Sequence, residues 1–213
     1  AAIAAYPYLS CKGEQWTPRM VWGVEDIVMC PGKEDMFRFL EDVVREVVPL
    51  FPGKYFHIGG DECPKTSWKN CPTCQKRIEA EGLQADGKHS AEERLQSYVI
   101  KRMEKMLAKY GRKIIGWDEI LEGGLSPEAT VMSWRGTSGG ISAALQKHDV
   151  IMTPGSGGLY LDHYQGDYKI EPVTIASSPA YLSKTYNYEP VPDTIKSLGL
   201  EKHILGVQCN NWS

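Results

Sequence analysis

Two adjacent carboxylates, Asp61 and Glu62, end the sequence His-Ile-Gly-Gly-Asp-Glu at residues 57–62. The two glycines close a short apolar segment, and glycine allows both a sharp backbone turn and the close approach of a ligand. Neighbouring acids repel each other, so one can stay charged while the other keeps a proton near neutral pH. An isolated Asp-Glu pair is more often a solvated surface pair or a helix start. Its position after a strand and two glycines favours an acid/base site instead.

Short apolar strands alternate with helices along the chain, and these elements must position the acids. Helices are predicted from about residue 33 to Pro49, over 66–82, from a capping box at Ser90 to Gly111, and at about 138–148. Strands are predicted at 54–58, 113–117, 130–134, 149–153 and 203–208. This alternation indicates parallel βαβ units. Both a (β/α)8 barrel and an open doubly wound sheet place ligands at the carboxyl ends of such strands, so the pattern alone leaves both open.

Three tryptophans, Trp117, Trp134 and Trp212, lie at or just after predicted strands. Most tryptophans are core residues, but a shared position at strand ends favours a ligand pocket. Tyr160 follows the glycine-rich stretch 155–158, which is typical of a loop. His57 fits a hydrogen-bonded supporting histidine better than a ligand or an acid.

The composition limits the classes of function. The chain has 213 residues, of which 42% are hydrophobic and 24% charged, with a formal net charge of -3. This length suffices for one large core, and the mildly acidic balance disfavours nucleic acid or an anionic membrane as a partner. No apolar run approaches the roughly 20 residues that a membrane span needs. The sequence begins with neither Met nor a signal peptide, so we expect it to be part of a longer protein.

The six cysteines permit one or two disulfides in an oxidising compartment. Cys11 and Cys30 flank a loop, and we hypothesise a disulfide between them, contributing about 3 kcal/mol in the chain-entropy model. Cys71 and Cys74 form a Cys-x-x-Cys pair that, together with Cys63, is compatible with zinc. A single pair inside a helix more often serves packing or a local bridge, so we expect no metal there.

The motif at 57–62 resembles that of glycoside hydrolase family 20, the β-N-acetylhexosaminidases. Five further segments resemble landmarks of this family and occur in its order, namely residues 4–11, 115–119, 133–136, 159–162 and 206–208 with Trp212. The resemblance implies an α/β fold, a partial (β/α)8 TIM barrel of about strands 4 to 8, forming a single incomplete catalytic domain over 1–213. It also implies that the first three strands precede Ala1 and that the acid of a Trp-x-Glu motif follows Ser213.

The resemblance further implies a role for each candidate site residue. Families such as this one use substrate assistance, in which the 2-acetamido group of the sugar is the nucleophile. Glu62 is then the general acid and base, and Asp61 orients the acetamido group. Tyr160 is expected to donate a hydrogen bond to the acetamido oxygen, and Asp162 to accept one from a sugar hydroxyl. The pocket walls are expected to be Trp117, Trp134 and Trp212. His57 is also expected to contribute to the substrate site.

The implied reaction is retaining hydrolysis of terminal non-reducing β-linked GlcNAc or GalNAc, with a glycan or glycoconjugate as partner. It requires no metal and no organic cofactor. The family habit implies a secreted, periplasmic or lysosomal protein. Two alternatives stay open: a non-catalytic sugar-binding fragment of such a barrel, and another barrel glycosidase with conventional paired carboxylates.

Overall fold

The computed structural model describes residues 1–21, 23–174 and 179–212. It divides into two compact units. The first comprises Ala1–Ile114 with Glu119–Pro127, and the second comprises Ile115–Asp118 with Glu128–Ser213. No helix among the described residues is both long and apolar enough to cross a membrane.

The first unit is mainly helical. Its helices are α1 (Ala2–Ala5), α2 (Glu34–Val47), α3 (Thr66–Lys69), α4 (Pro72–Ala80) and α5 (Ala91–Ala108), with the strand β1 (Tyr55–His57) and a 3-10 turn at Pro7–Leu9. Helix α2 buries Met36, Phe37 and Val44 on one face, as its apolar spacing predicts. Acidic residues occupy its first turn and Arg45 its last, which complements the helix dipole.

The predicted helix over 66–82 is wrong in one respect, because the structure divides it into α3 and α4. Pro72 lies at the start of α4 and Cys71 is its N-cap. Proline lacks the N–H that a continuing helix would need and favours the first helical position. A new helix therefore begins at Pro72, and Cys71 is left in an extended conformation.

The second unit is built on a parallel ladder. It contains the residues of β2 (Lys113–Trp117) that follow Ile114, then β3 (Thr130–Ser133), β4 (Val150–Met152) and β5 (Ile204–Val207). The helices are α6 (Ser138–Leu145), α7 (Leu182–Tyr186) and α8 (Asp193–Ser197), with 3-10 turns at Gly155–Gly157 and Glu201–His203. Every residue of β3 is buried, which is typical of a strand inside a parallel sheet.

The five predicted strands are confirmed, and so is the α/β class with parallel pairing. The hydrogen-bonded strand order follows the chain, β1-β2-β3-β4-β5. Gly116 pairs with Val131, Met132 with Ile151, and β4 pairs with β5 across a register shift at Val150/Ile151. Chain-order parallel strands bring their carboxyl ends to one edge of a sheet, where α/β folds place their sites.

The capping box predicted at Ser90 is present at the start of α5. The Ser90 side chain accepts the N–H of Glu93, and the Glu93 carboxylate accepts the N–H of Ser90. We predict that Ser90→Ala lowers the free energy of unfolding by about 1 kcal/mol, because an N-cap acceptor is lost. Chemical denaturation should detect the shift. Ser142→Ala, at an exposed site within α6, should not reproduce it, and an equal loss in both variants would contradict the capping role.

Candidate active site

The turn after β1 is built from two left-handed glycines. Gly59 has a φ of 70° and Gly60 a φ of 95°, a region that other residues rarely adopt. A Cβ on Gly60 would lie 2.6 Å from Cγ2 of Ile120, so the turn also requires the absence of a side chain there. The N–H of Gly59 donates to Nδ1 of His57 at 3.0 Å. These features fix the backbone from which the two acids project.

Glu62 has a strained backbone and an uncommitted side chain. Its φ of 44° lies in the left-handed region, where only one other non-glycine residue of the described chain, Lys147, is found. Such strain costs free energy and is concentrated at functional sites. The Glu62 side chain is exposed and makes no hydrogen bond or ion pair with any residue that the structure describes. This carboxyl group is therefore held in place by its backbone but left available to a ligand.

Asp61 is half-buried and acts on its neighbour electrostatically. Surrounding protein atoms desolvate the His57 ring and lower its pKa, and the negative charge of Asp61 partly offsets this effect. With Nδ1 accepting from Gly59, a neutral His57 carries its proton on Nε2. The predicted supporting role of His57 agrees with this bond, while direct contact with substrate stays a prediction.

The turn after β1 is held by the buried side-chain amide of Gln96, which the sequence did not identify. Gln96 of α5 is only 3% exposed, and its Nε2 donates to the carbonyl oxygens of Gly60 and Glu119, both at 3.1 Å. Its Oε1 accepts from Nζ of Lys65, which also donates to the Cys63 carbonyl at 2.7 Å. A glutamine on the buried face of an amphipathic helix was the available signal, since such groups are usually hydrogen-bonded.

In the second unit the structure brings Trp117, Trp212 and Asp162 together. The two indoles lie 5.8 Å apart between ring centroids and are tilted by 55°. Trp117 is buried at the end of β2, whereas Trp212 is 56% exposed. The main-chain N–H of Trp212 donates to Oδ2 of Asp162 at 3.1 Å. These three residues therefore lie together in the described part of this unit, while their contact with a substrate stays a prediction.

Asp162 has one carboxylate oxygen without a donor. Oδ1 is buried and has no hydrogen-bond partner among the described residues. A buried acceptor left unpaired costs about 1–3 kcal/mol, which a hydroxyl donor from a ligand would offset. This is the chemistry expected of a group that binds a sugar hydroxyl.

Tyr160 is positioned by a second buried amide that the sequence did not reveal, Asn210. The two residues form a parallel bridge, in which Asn210 donates to Leu159 and accepts from Leu161, both at 2.8 Å. Nδ2 of Asn210 also donates to Oγ1 of Thr153 at 2.9 Å. Asn210 therefore joins the loop that carries Tyr160 to the end of β4, and nothing in its sequence context distinguishes it from an ordinary loop residue.

Trp134 is held by Asp118, which directly follows β2. The Asp118 carboxylate is 2% exposed and accepts the N–H of Trp134 at 3.1 Å and that of Arg135 at 3.2 Å. It also forms an ion pair of 2.5 Å with Nε of Arg135. Asp118 is thus occupied in orienting the loop after β3, and the half-buried Trp134 side chain is what that loop presents.

In each unit, the candidate carboxylates and aromatic rings follow the ends of strands, which is where enzymes of the α/β class place their sites. Within that class, residues 1–213 match the model of "Glycosyl hydrolase family 20, catalytic domain", so the chain belongs to glycosyl hydrolase family 20. It is 59% identical over 215 residues to a beta-hexosaminidase of Porphyromonas gingivalis and 35% identical over 214 residues to one of Vibrio furnissii. These matches cover 100% of the chain but only 26% and 34% of those two proteins.

Solved structures of proteins of this family are also similar to the chain. A chitobiase of Flavobacterium johnsoniae aligns with a TM-score of 0.78 and 28% identity, over 99% of this chain and 30% of that one. An exo beta-N-acetylglucosaminidase of Vibrio harveyi, in complex with N-acetylglucosamine, aligns with a TM-score of 0.82 and 31% identity, over 99% and 32%. The chain thus spans about a quarter to a third of the proteins that it resembles.

We predict that Gln96→Glu loosens the turn after β1. A carboxylate can still accept from Lys65 but cannot donate to the carbonyl oxygens of Gly60 and Glu119, which it would repel. Amide hydrogen exchange of residues 59–65 should become faster. The exposed Gln84→Glu provides a control for the added charge. Unchanged exchange in Gln96→Glu would show that the amide does not hold the turn.

Proposed function

We propose that the protein to which this chain belongs hydrolyses terminal, non-reducing β-linked N-acetylhexosamine with retention of configuration. The observation that carries this proposal is the exposed and unpartnered Glu62 carboxyl group on its strained turn, next to Asp61. Family membership and the name beta-hexosaminidase of the relatives support the substrate class. So does the V. harveyi relative, whose structure contains N-acetylglucosamine.

The adjacency of the two acids favours substrate assistance over a conventional carboxylate pair. Conventional glycosidases hold two carboxyl groups on opposite sides of the bond, about 5 Å or more apart. Asp61 and Glu62 are consecutive residues on one turn, a poor arrangement for two groups that must face each other across a sugar. A nucleophile supplied by the substrate removes the need for the second carboxylate.

In the proposed reaction, Glu62 donates its proton to the glycosidic oxygen as the bond to the anomeric carbon breaks. The carbonyl oxygen of the 2-acetamido group attacks that carbon, giving an oxazolinium ion. Asp61 accepts the acetamido N–H, which orients the group and stabilises its developing positive charge. Glu62, now ionised, takes a proton from water as the water attacks, and the original configuration is restored.

The second unit supplies the proposed sugar-binding groups. Tyr160 donates to the acetamido oxygen, and Oδ1 of Asp162 accepts a sugar hydroxyl, for which its lack of a protein donor is the supporting observation. The flat apolar faces of Trp117, Trp134 and Trp212 suit a sugar ring and an acetyl methyl group. The close packing of Trp117 and Trp212 supports a shared role for these two rings.

We also propose that β1 to β5 are strands 4 to 8 of a (β/α)8 barrel. Their parallel pairing and chain-order arrangement support this assignment, since a barrel of this type places consecutive strands side by side. A non-catalytic sugar-binding role is the alternative from another class. It predicts binding without turnover, which an assay of the full-length protein on an aryl β-N-acetylglucosaminide would distinguish.

We predict that Glu62→Gln in the full-length protein lowers kcat by about 10²–10⁴-fold, because a positioned general acid is lost. The loss should be smaller on aryl glycosides with good leaving groups, since these need little protonation. Glu46→Gln, an exposed change on α2, is the matched control and should retain activity. Near-normal turnover by Glu62→Gln on a poor leaving group would overturn the assignment.

We predict that an acetamido-thiazoline, which mimics the oxazoline intermediate, inhibits the full-length protein competitively. Asp61→Asn should weaken that inhibition along with kcat, because the carboxylate no longer stabilises the cationic ring. Inhibition constants measured for both proteins test this. Turnover without any inhibition by the thiazoline would instead favour a glycosidase with conventional paired carboxylates.

A further inference from the structure

Four cysteines from distant parts of the first unit converge on one point. They are Cys11, Cys30, Cys71 and Cys74, and their four Sγ atoms all lie within 4.8 Å of one another. Three of these residues are buried and Cys11 is partly buried. All six cysteines of the chain are free, so the predicted Cys11–Cys30 disulfide is wrong. Cys63, which the sequence grouped with the Cys-x-x-Cys pair, is not a member of the cluster.

Three of the six sulfur separations are close to those of a metal-thiolate tetrahedron, and all six are within 4.8 Å. Sγ of Cys30 lies 3.4 Å from that of Cys74 and 3.7 Å from that of Cys71, and Sγ of Cys11 lies 3.8 Å from that of Cys74. Four sulfurs held about 2.3 Å from a zinc ion in tetrahedral geometry lie about 3.8 Å from each other. A disulfide would require sulfurs only about 2.05 Å apart. The observed spacing leaves room for an ion at the centre.

Two short turns present three of the four sulfurs, those of Cys30, Cys71 and Cys74, and each turn has a local reason for its shape. Cys71 is the N-cap of α4 and Cys74 lies in its first turn, because Pro72 begins the helix between them. The Cys30-Pro31-Gly32 turn packs against this one so closely that a Cβ on Gly32 would lie 2.4 Å from the carbonyl carbon of Thr73.

The surroundings suit a structural site rather than a reactive one. Cys30, Cys71 and Cys74 belong to an apolar core with Trp68, Ile78 and Leu95, and Cys11 packs against it. Nζ of Lys33 donates to the carbonyl oxygen of Ser10, at 2.6 Å, and so places a positive charge beside the cluster. A zinc ion with four thiolates carries a net charge of -2, which such a cation partly balances.

We propose that Cys11, Cys30, Cys71 and Cys74 bind one structural Zn²⁺ ion as a closed tetrahedral Cys₄ site. All four positions are filled by protein sulfurs, so no open position is left for water or substrate, as in structural zinc sites elsewhere. Binding releases to solvent the protons of those thiols that are not yet ionised. The ion takes no part in the glycosidase chemistry proposed above.

The site ties together three segments that are distant from one another in the chain. Cys11 follows the 3-10 turn at Pro7–Leu9, Cys30 precedes α2, and the other two open α4. Residues 12–28 between the first two form no helix or strand where the structure describes them. Cys71 lies nine positions after Glu62, so the ion would also anchor the chain that leaves the candidate general acid.

The test begins with the unaltered full chain, purified without chelators from zinc-supplemented medium. Elemental analysis should find about one zinc per chain. Release of the metal by a mercurial reagent should free it to a colorimetric indicator, and replacement by Co²⁺ should give the thiolate-to-cobalt charge-transfer bands and the visible bands of a tetrahedral complex. Protein without stoichiometric zinc, protein with iron in its place, or protein with these four thiols oxidised to disulfides would each overturn the proposal.

Variants then assign the ligands. Cys71→Ser and Cys74→Ser should lose bound zinc and lower the melting temperature of the chain. Cys63→Ser is the matched control, because Cys63 packs against the same core without belonging to the cluster, and Cys209→Ser is an exposed one. Both controls should retain zinc. Equal zinc loss in Cys63→Ser and Cys74→Ser would contradict the proposed ligand set, and the cobalt spectrum of the unaltered chain decides the matter if a variant fails to fold.

Discussion

The turn that follows β1 is the constraint on which the candidate chemistry depends. Two glycines with left-handed φ values turn the backbone, and the side chain of Gln96 donates a hydrogen bond to the carbonyl oxygen of Gly60. In this turn Glu62 has an unfavourable positive φ. Backbone strain of this kind persists only where the surrounding structure enforces it. Here it leaves the carboxyl group of Glu62 exposed while its main chain is fixed. A general acid needs this combination, because proton transfer requires both access to the substrate and a defined position.

In the second unit, buried polar groups likewise hold the loops that carry candidate site residues. Asn210 connects the loop of Tyr160 to Thr153, and Asp118 holds the loop of Trp134 through two backbone N–H groups and Arg135. Neither residue is exposed enough to serve mainly as a ligand. Their hydrogen bonds are charge-assisted or buried, and so resist exchange with water. The rings and carboxylate expected to contact a sugar are thus presented by loops that the interior of the unit holds in place.

The partners within the cysteine cluster do not follow from the spacing of the cysteines along the chain. A single Cys-x-x-Cys pair is a weak signal, and sequence distance gave no reason to join Cys71 and Cys74 with Cys11 and Cys30 rather than with the nearer Cys63. The close packing of the Gly32 turn on the backbone of Thr73 makes that choice. The same packing brings the sulfur of Cys30 next to those of Cys71 and Cys74. Cys30 and Cys11 form no disulfide.

The sequence by itself determined the five strands, the helices α2, α5 and α6, the capping box at Ser90 and the family, because these depend on local periodicity, turn chemistry and short motifs. It also placed the Asp61–Glu62 pair at a strand end. The tertiary structure alone decided the left-handed backbone of Glu62, the supports Gln96 and Asn210, the contact of Trp212 with Asp162, and the partners of each cysteine. Those features arise from contacts between residues distant in the chain. Such contacts are set by how the elements pack. A local pattern can mark a buried polar residue such as Gln96, but it does not identify the partners of that residue.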